Sequence, residues 1–204
     1  MARRSDHSRD ELYRLAIDAA RDIVEADGFR ALTARNVADV IGYSPGTLYN
    51  LFVNQDDMVM HVNGRTLDDL HDSLASVMPT GDVDADFALL LDTYLVFIKD
   101  NPGLWHMLFN YTLSEGHEIP EWYGRKVKGL LGIVESVLSP LFANNDGDKL
   151  SAESRVLWAG LHGITALSDT GKLSLVSGQS TREMAQMLVA NYIAGIRARQ
   201  SVRK

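Results

Sequence analysis

The 204-residue chain contains no cysteine, which excludes disulfides, cysteine-ligated zinc, iron–sulfur clusters and thiol nucleophiles together. It also lacks long hydrophobic runs. The richest apolar segment, Phe87 to Ile98, is short and is broken by Asp92 and Thr93, well below the roughly 18 residues a membrane span needs. No uninterrupted apolar stretch follows the charged start from Met1 to Asp10, so neither a secretory signal nor a membrane partner is expected, and the chain reads as soluble and cytoplasmic. Strand patterns, in which apolar and polar residues alternate between turns, are missing too. Basic side chains are outnumbered, 20 against 27 acidic, for a formal charge of −7. That balance argues against a protein that coats nucleic acid indiscriminately and leaves room for a small DNA-reading patch.

Several chemistries are absent as motifs. Neither a glycine-rich phosphate loop nor a Gly-x-Ser-x-Gly elbow occurs, and there is no Glu-x-x-His pair of the kind that holds two metals in a helical bundle. Asp68-Asp69-Leu70-His71 imitates half of such a site without a second copy. Asn144 to Asp148 imitates the start of a calcium loop but lacks the glycine at position six and the closing acid. The chain is therefore expected to be no enzyme and to carry neither cofactor nor metal.

What is present is an ordinary globular composition, 46% hydrophobic and 23% charged, with apolar residues recurring at three and four almost throughout. A chain of this size buries roughly 70% of its unfolded surface. It reads as all helix. Ser8 and Glu11 form a capping box for a first helix with Leu12, Leu15, Ala16, Ala19 and Ile23 inward, stopped at Gly28. Thr33 caps a second with Val37, Ala38 and Ile41 inward. Gly42 stops that one, and Ser44-Pro45 opens a third that runs to about Phe52. Asn54 caps a fourth, with Met58, Val62, Leu70 and Leu74 inward, until the break at Met78-Pro79-Thr80-Gly81. Further helices follow over 85–100, 102–113, 121–142, 152–172 and 182–199, the last opened by a Ser180/Glu183 box. The basic tail Arg197, Arg199, Arg203 and Lys204 suits a helix C-terminus.

Two short helices joined through Gly42-Tyr43 have the proportions of a helix-turn-helix. Gly46 and Thr47 are small enough for the second helix to approach base edges, and its unpaired N–H groups can hold a phosphate. Thr33 offers a hydroxyl to the sugar–phosphate backbone. Arg35 is the one cation between Ala31 and Asn54, and either clamps a phosphate or pairs with Asp39 at i,i+4. Leu48, Leu51 and Phe52 read as anchors of this short helix in the core.

The stretch Gly28-Phe29-Arg30-Ala31-Leu32-Thr33, then Val37-Ala38, then Gly42 through Phe52, then Asn54-Gln55-Asp56 resembles the N-terminal signature of TetR-family transcriptional regulators, over about a quarter of the chain. The resemblance implies an all-helical fold: an N-terminal three-helix helix-turn-helix unit followed by a larger helical ligand-binding and dimerisation bundle. In that arrangement residues 1–54 bind double-stranded operator DNA, and residues 55–204 hold a small-molecule effector and make the homodimer, with 55–78 as the connecting helix. It further implies phosphate contacts from Thr33, Ser44, Thr47, Tyr49 and Asn50 and base contacts around Tyr43, Pro45 and Thr47. Two positions depart from the family pattern: Gln55 replaces a usual lysine and Asn50 a usual aromatic or histidine. Loss of that lysine weakens nonspecific affinity and flattens the salt dependence.

In the body, Trp105, Phe109, Tyr111, Trp122, Trp158 and His162 are the candidate effector contacts, an apolar set with polar tips. Leu104 through Tyr111 resembles the helix that borders the ligand cavity in many TetR-like bodies. Glycines inside the helix around Leu157-Trp158-Ala159-Gly160-Leu161-His162-Gly163 each cost about 1 kcal/mol relative to alanine and permit close helix approach. Gly160 and Gly163, with Met184, Leu188 and Gly195 of the final helix, are the candidate dimer interface. Trp158, His162 and Gly163 also resemble the WHG class of C-terminal domain found in some of these regulators. His162 reads as a hydrogen-bonded histidine rather than a metal ligand. The function expected is a ligand-responsive regulator, most simply a repressor released by a small lipophilic effector; the alternative is a helical ligand-binding or scaffolding protein that has lost DNA binding.

Overall fold

The computed structural model describes residues 7–116, 118–143 and 146–201, and among these every regular element is helical. In chain order they are α1 (Arg9–Asp27), α2 (Ala34–Ile41), α3 (Pro45–Leu48), α4 (Gln55–Ala75), α5 (Val83–Asp100), α6 (Pro102–Asn110), α7 (Glu121–Leu138), α8 (Gly147–Asp169), α9 (Leu173–Val176) and α10 (Thr181–Ser201), with 3-10 turns at Phe29–Ala31 and Ser139–Leu141. The expected all-helical class with an N-terminal helix-turn-helix is the fold observed. Asn144, Asn145, Arg203 and Lys204 lie outside the described residues.

The chain divides into two compact units. One takes in the described residues up to Asp68 together with Asn101–Tyr123; the other takes in Asp69–Asp100 and the described residues from Gly124 on. α4 runs from the first into the second.

In the first unit, local chemistry sets the helix ends. Ser8 Oγ accepts from the Glu11 amide at 3.3 Å while Glu11 Oε2 accepts from the Ser8 amide at 2.7 Å, the reciprocal box that opens α1. The buried face of α1 is Leu12, Ala16, Ile17, Ala19, Ala20, Ile23 and Val24. Leu15, expected inward, stands 38% exposed, because the stripe settles on the i, i+4, i+7, i+8 positions from Leu12 and leaves Leu15 at its edge. Thr33 Oγ1 accepts from the Asn36 amide at 3.1 Å and opens α2. Gly42 closes it with φ 74, where a side chain would be strained. α3 ends at Leu48, not near Phe52: beyond it the chain continues as turns, with the Phe52 amide donating to the Leu48 carbonyl at 2.9 Å. Asn54 caps α4 by accepting from the Asp57 amide at 2.8 Å, and Asp57 returns a carboxylate to the Val53 amide at 2.8 Å. Leu48, Phe52, Val37, Ala38 and Met58 close one core with the buried face of α1.

Leu104 and Met107 of α6 belong to that same core. α6 seats against α1 through a carboxylate: Glu25 accepts from the Gly103 amide at 3.1 Å and from the Leu104 amide at 3.0 Å, satisfying two of the donors that a helix start leaves open. α6 stops at Asn110, three residues before the expected end, where Tyr111 turns to extended backbone.

In the second unit α8 and α10 pack on one another. Tyr192 donates its hydroxyl to Glu153, Arg199 pairs with Glu153 at 2.7 Å, and Leu188 rests over Gly160. α5 joins α10 through Arg197 to Asp84 at 2.6 Å and through Arg182 to Asp92. α8 ends earlier than expected, at Asp169, because Gly171 turns the chain at φ 69 before the four residues of α9.

Candidate functional site

The helix-turn-helix sorts its residues by polarity. Leu48 is 1% and Phe52 2% exposed, whereas Thr33, Arg35, Ser44, Pro45, Tyr49 and Asn50 are exposed and Tyr43 and Thr47 are half-buried. Tyr49 is 62% exposed. Ser44 Oγ and Thr47 Oγ1 lie 3.0 Å apart and order one another at the start of α3. Among the described residues neither Arg35 nor Asp39 has an ion-pair partner, so the alternative in which they pair is not the one observed, and the guanidinium is left for another anion. Two side chains near the start of the described chain reach this surface: His7 Nδ1 lies 2.7 Å from the Tyr43 hydroxyl, and Arg9 donates to the Asn50 carbonyl at 3.5 Å. Sequence reasoning missed both, since each bond spans more than thirty-five residues.

Gln55 faces inward. Its amide donates to the Leu32 carbonyl just before α2, and with Ala34, Leu48, Tyr49, Phe52, Asn54 and Met58 it lines a small hollow behind the recognition segment. A hydrogen bond of this kind contributes about 1 kcal/mol. Gln55→Ala should therefore lower the melting temperature by a few degrees, since 1 kcal/mol is worth roughly 2–4 °C in a chain of this length. An unchanged thermal melt would show that Gln55 does not fasten α4 to α2.

The adjacent residue faces the other way. Asp56, buried, accepts the Tyr111 hydroxyl at 2.7 Å and the Ser114 amide at 3.1 Å, so consecutive residues of α4 hold the helix-turn-helix on one side and the segment after α6 on the other. Burial, then the Asp56 carboxylate, push the Tyr111 phenol up to about 12, so it remains a proton donor at every physiological pH. His61, one helical turn on, stacks on Trp122 at 4.9 Å and 12°, with its Nδ1 2.9 Å from the Tyr13 hydroxyl.

The six candidate effector residues fall into two groups. Trp105, 2% exposed, together with Phe109, Tyr111 and Trp122 belongs to the first unit, where Trp105 and Phe109 pack edge to face at 4.6 Å. Trp158 and His162 belong to the second, with rings stacked at 5.4 Å and 7°. Burial lowers the His162 imidazole from its ordinary value and so favours the neutral form. Wholly within the second unit is an apolar cavity of at most about 600 Å³, part of it open to solvent, walled by α4, α5, α7 and α8. Trp158 is the one candidate effector contact in its wall; the rest of the lining is mostly aliphatic, with Leu70 and Leu74 expected only as inward core positions.

Of the candidate interface residues, Gly160 and Leu188 meet within one chain: a Cβ on Gly160 would stand 2.9 Å from Leu188 Cδ2. Met184 and Gly195 are half-buried on α10, and Gly163 is exposed, with nothing within 4 Å of where its Cβ would be.

Two family models match. "Bacterial regulatory proteins, tetR family" matches residues 16–62, and "Tetracyclin repressor-like, C-terminal domain" matches residues 87–192. An uncharacterized HTH-type transcriptional regulator of Mycobacterium tuberculosis is 25% identical over 155 residues, 76% of this chain and 69% of its own. Among solved structures, a protein of unknown function from Rhodococcus sp. RHA1 superposes with a TM-score of 0.72 at 18% identity, over 95% of this chain and 98% of that one. FadR of Bacillus subtilis, a transcriptional regulator solved in complex with stearoyl-CoA, superposes with a TM-score of 0.66 at 14% identity, over 90% and 98%.

Proposed function

We propose, since this chain belongs to the TetR family of bacterial transcriptional regulators, that it is a ligand-responsive repressor which binds a palindromic operator as a homodimer and is released by a small lipophilic effector. Residues 1–54 bind the DNA, and 55–204 hold the effector and the dimer contacts. It works in the cytoplasm, where the operator is. The observation that carries the reading is the sorting of the helix-turn-helix, with Leu48 and Phe52 inside and Thr33, Arg35, Ser44, Tyr49 and Asn50 presented to solvent. Thr33, Ser44, Thr47, Tyr49 and Asn50 contact phosphates, with Arg35 as the cation among them, and Tyr43, Pro45 and Thr47 face the bases.

Dimerisation is supported by faces of α8 and α10 that a single chain leaves uncovered. Val156, Ala159, Gly163 and Leu167 recur at helical spacing on α8, as do Met187, Ala190 and Ala194 on α10, and all are exposed. With Gly160 and Leu188 occupied by each other, Gly163 is the interface glycine. Two recognition segments in a dimer read half-sites roughly 34–36 Å or a multiple apart.

The lipophilic effector is supported by the cavity of the second unit, and the structural neighbour FadR carries a long acyl chain in its stearoyl-CoA complex. The effector acts by differential affinity: it favours a conformation whose half-site spacing no longer matches the operator, and a hundredfold release needs about 2.7 kcal/mol of coupling. Through α4, consecutive residues Gln55 and Asp56 give that change a mechanical route to Leu32 and α2.

Selection of bound fragments from random and genomic DNA, at several salt concentrations, tests the reading. A two-fold symmetric motif is the expected result; recovery of none even at low salt would overturn it in favour of a ligand-binding protein without DNA function. On the selected operator, Tyr49→Phe should weaken binding about fivefold, the worth of roughly 1 kcal/mol, with the melting temperature unchanged because the hydroxyl makes no core contact. Unfolding of that variant would show instead that Tyr49 is part of the core.

A further inference from the structure

The second-unit cavity is defined as much by what its wall omits as by its size. Leu70 and Leu74 enter from α4, Phe87 and Tyr94 among others from α5, three aliphatic side chains of α7, and Trp158 with Leu161 from α8. Among the described residues no aspartate, glutamate, lysine or arginine lines it. The polar side-chain atoms that the lining residues carry are the Tyr94 hydroxyl and the Trp158 indole nitrogen. Tyr94 is buried and lies 3.5 Å from Thr165 Oγ1, which itself donates to the His162 carbonyl at 3.0 Å. His162 stacks on Trp158 outside the lining, and burial favours its neutral form.

The shape follows from helical spacing. The α5 wall runs from Phe87 to Tyr94, seven residues and so about 10 Å of helix. Of the 18 residues of α7 only Leu138 is fully buried, and Val127, Leu130, Leu131, Ile133 and Val134 are apolar and half-buried.

An ionised group drawn against such a wall, rather than left at the solvent-open side, leaves water without meeting a partner, and the desolvation is not recovered. A hydroxyl, ketone or ester gives up far less and can exchange a hydrogen bond with Tyr94 or the Trp158 N–H. We infer that the effector taken by this cavity is an uncharged lipophile, an alkyl or ring hydrocarbon skeleton with about one neutral polar atom, and that the cavity discriminates against carboxylates and against acyl carriers with an anionic head. This rests on the reading of the chain as ligand-responsive.

The test is equilibrium dialysis of the full chain against 1-decanol, decanoate and lauroyl-CoA at pH 7.5, each below its aggregation limit, followed by challenge of the operator complex with the same three probes. Decanol is expected to bind at least tenfold more tightly than decanoate or lauroyl-CoA, and Ile133→Trp, which fills the cavity from α7, should lower decanol affinity at least tenfold. Trp158→Phe should remove the decanol-dependent change in tryptophan fluorescence, and circular dichroism shows whether either variant is folded. Decanoate or lauroyl-CoA binding as tightly as decanol would overturn the discrimination while leaving the regulator ligand-responsive. Decanol binding that Ile133→Trp leaves untouched in a folded protein, or no binding of any probe, would overturn the cavity as the site. Tight decanol binding that fails to release the operator would leave the assignment of the cavity standing and sink the regulatory reading instead.

Discussion

Gly103→Ala should lower the melting temperature by roughly 10 °C, the worth of about 3 kcal/mol in a chain of this length. Gly103 sits where α6 crosses the end of α1, and a Cβ there would stand 2.6 Å from the Val24 carbonyl oxygen and 3.0 Å from the Glu25 Cα. Both are backbone atoms, and Val24 is completely buried, so α1 has no room to yield. Overpacking of this kind typically costs about 1–3 kcal/mol. A second loss accompanies it. Glu25 holds the Gly103 and Leu104 amides, and a shift of α6 large enough to relieve the clash stretches both bonds, each to a charged acceptor and so worth about 1.5–3 kcal/mol when fully made. Gly124→Ala and Gly132→Ala are the controls: both lie in α7 with nothing within 4 Å of the added carbon, and alanine in a helix interior should be neutral or stabilising by up to about 1 kcal/mol. Thermal melts by circular dichroism decide it, and a Gly103→Ala variant melting within two or three degrees of the parent would show that α6 can rise off α1 at little cost.

That crossing also shows where the sequence stops being readable. Helix ends were legible because their chemistry is local: Ser8 with Glu11, Thr33 with Asn36 and Ser180 with Glu183 each act across three residues. The buried anchors of the helix-turn-helix were legible because a short helix needs its few apolar residues for attachment, and Leu48 and Phe52 are both inside. The seat of α6 was not. Leu104, Trp105 and Met107 would satisfy any core, and nothing in their spacing says that this one belongs with α1. The residue that decides it, Glu25, reads in isolation as one more solvated acid, and its partners lie 78 and 79 residues away. The cavity was hidden for the opposite reason. Its wall is mostly leucine, isoleucine and valine at ordinary core spacing, which mark no site, whereas most of the aromatic candidates lie in the other unit. Gln55 stood out as a departure from the family pattern, and the direction it faces, toward Leu32, is a tertiary fact.

In the homodimer proposed above, Gly163→Leu should separate the subunits and, with them, at least a hundredfold of operator affinity. The distinction from its neighbour is what makes the experiment informative. Gly160 accommodates Leu188 of the same chain, so a leucine there strikes the α8–α10 packing inside one subunit, and its first effect should be on stability. Gly163, three residues on, is exposed, and an added Cβ there meets nothing within 4 Å in the single chain. If Val156, Ala159, Gly163 and Leu167 form the stripe that meets a second copy, that side chain holds the two α8 helices apart at the point where the small residues let them approach. The subunits then bind half-sites separately, and a hundredfold loss corresponds to about 2.7 kcal/mol, a modest share of what the second half-site supplies by being tethered. Sedimentation at micromolar concentration should show a folded monomer melting near the parent temperature extrapolated to low concentration. A Gly163→Leu protein that remains dimeric would move the interface off this face of α8, and a monomer that still binds the full operator as tightly as the parent would show that the two-fold symmetry of the site is not read by a preformed dimer.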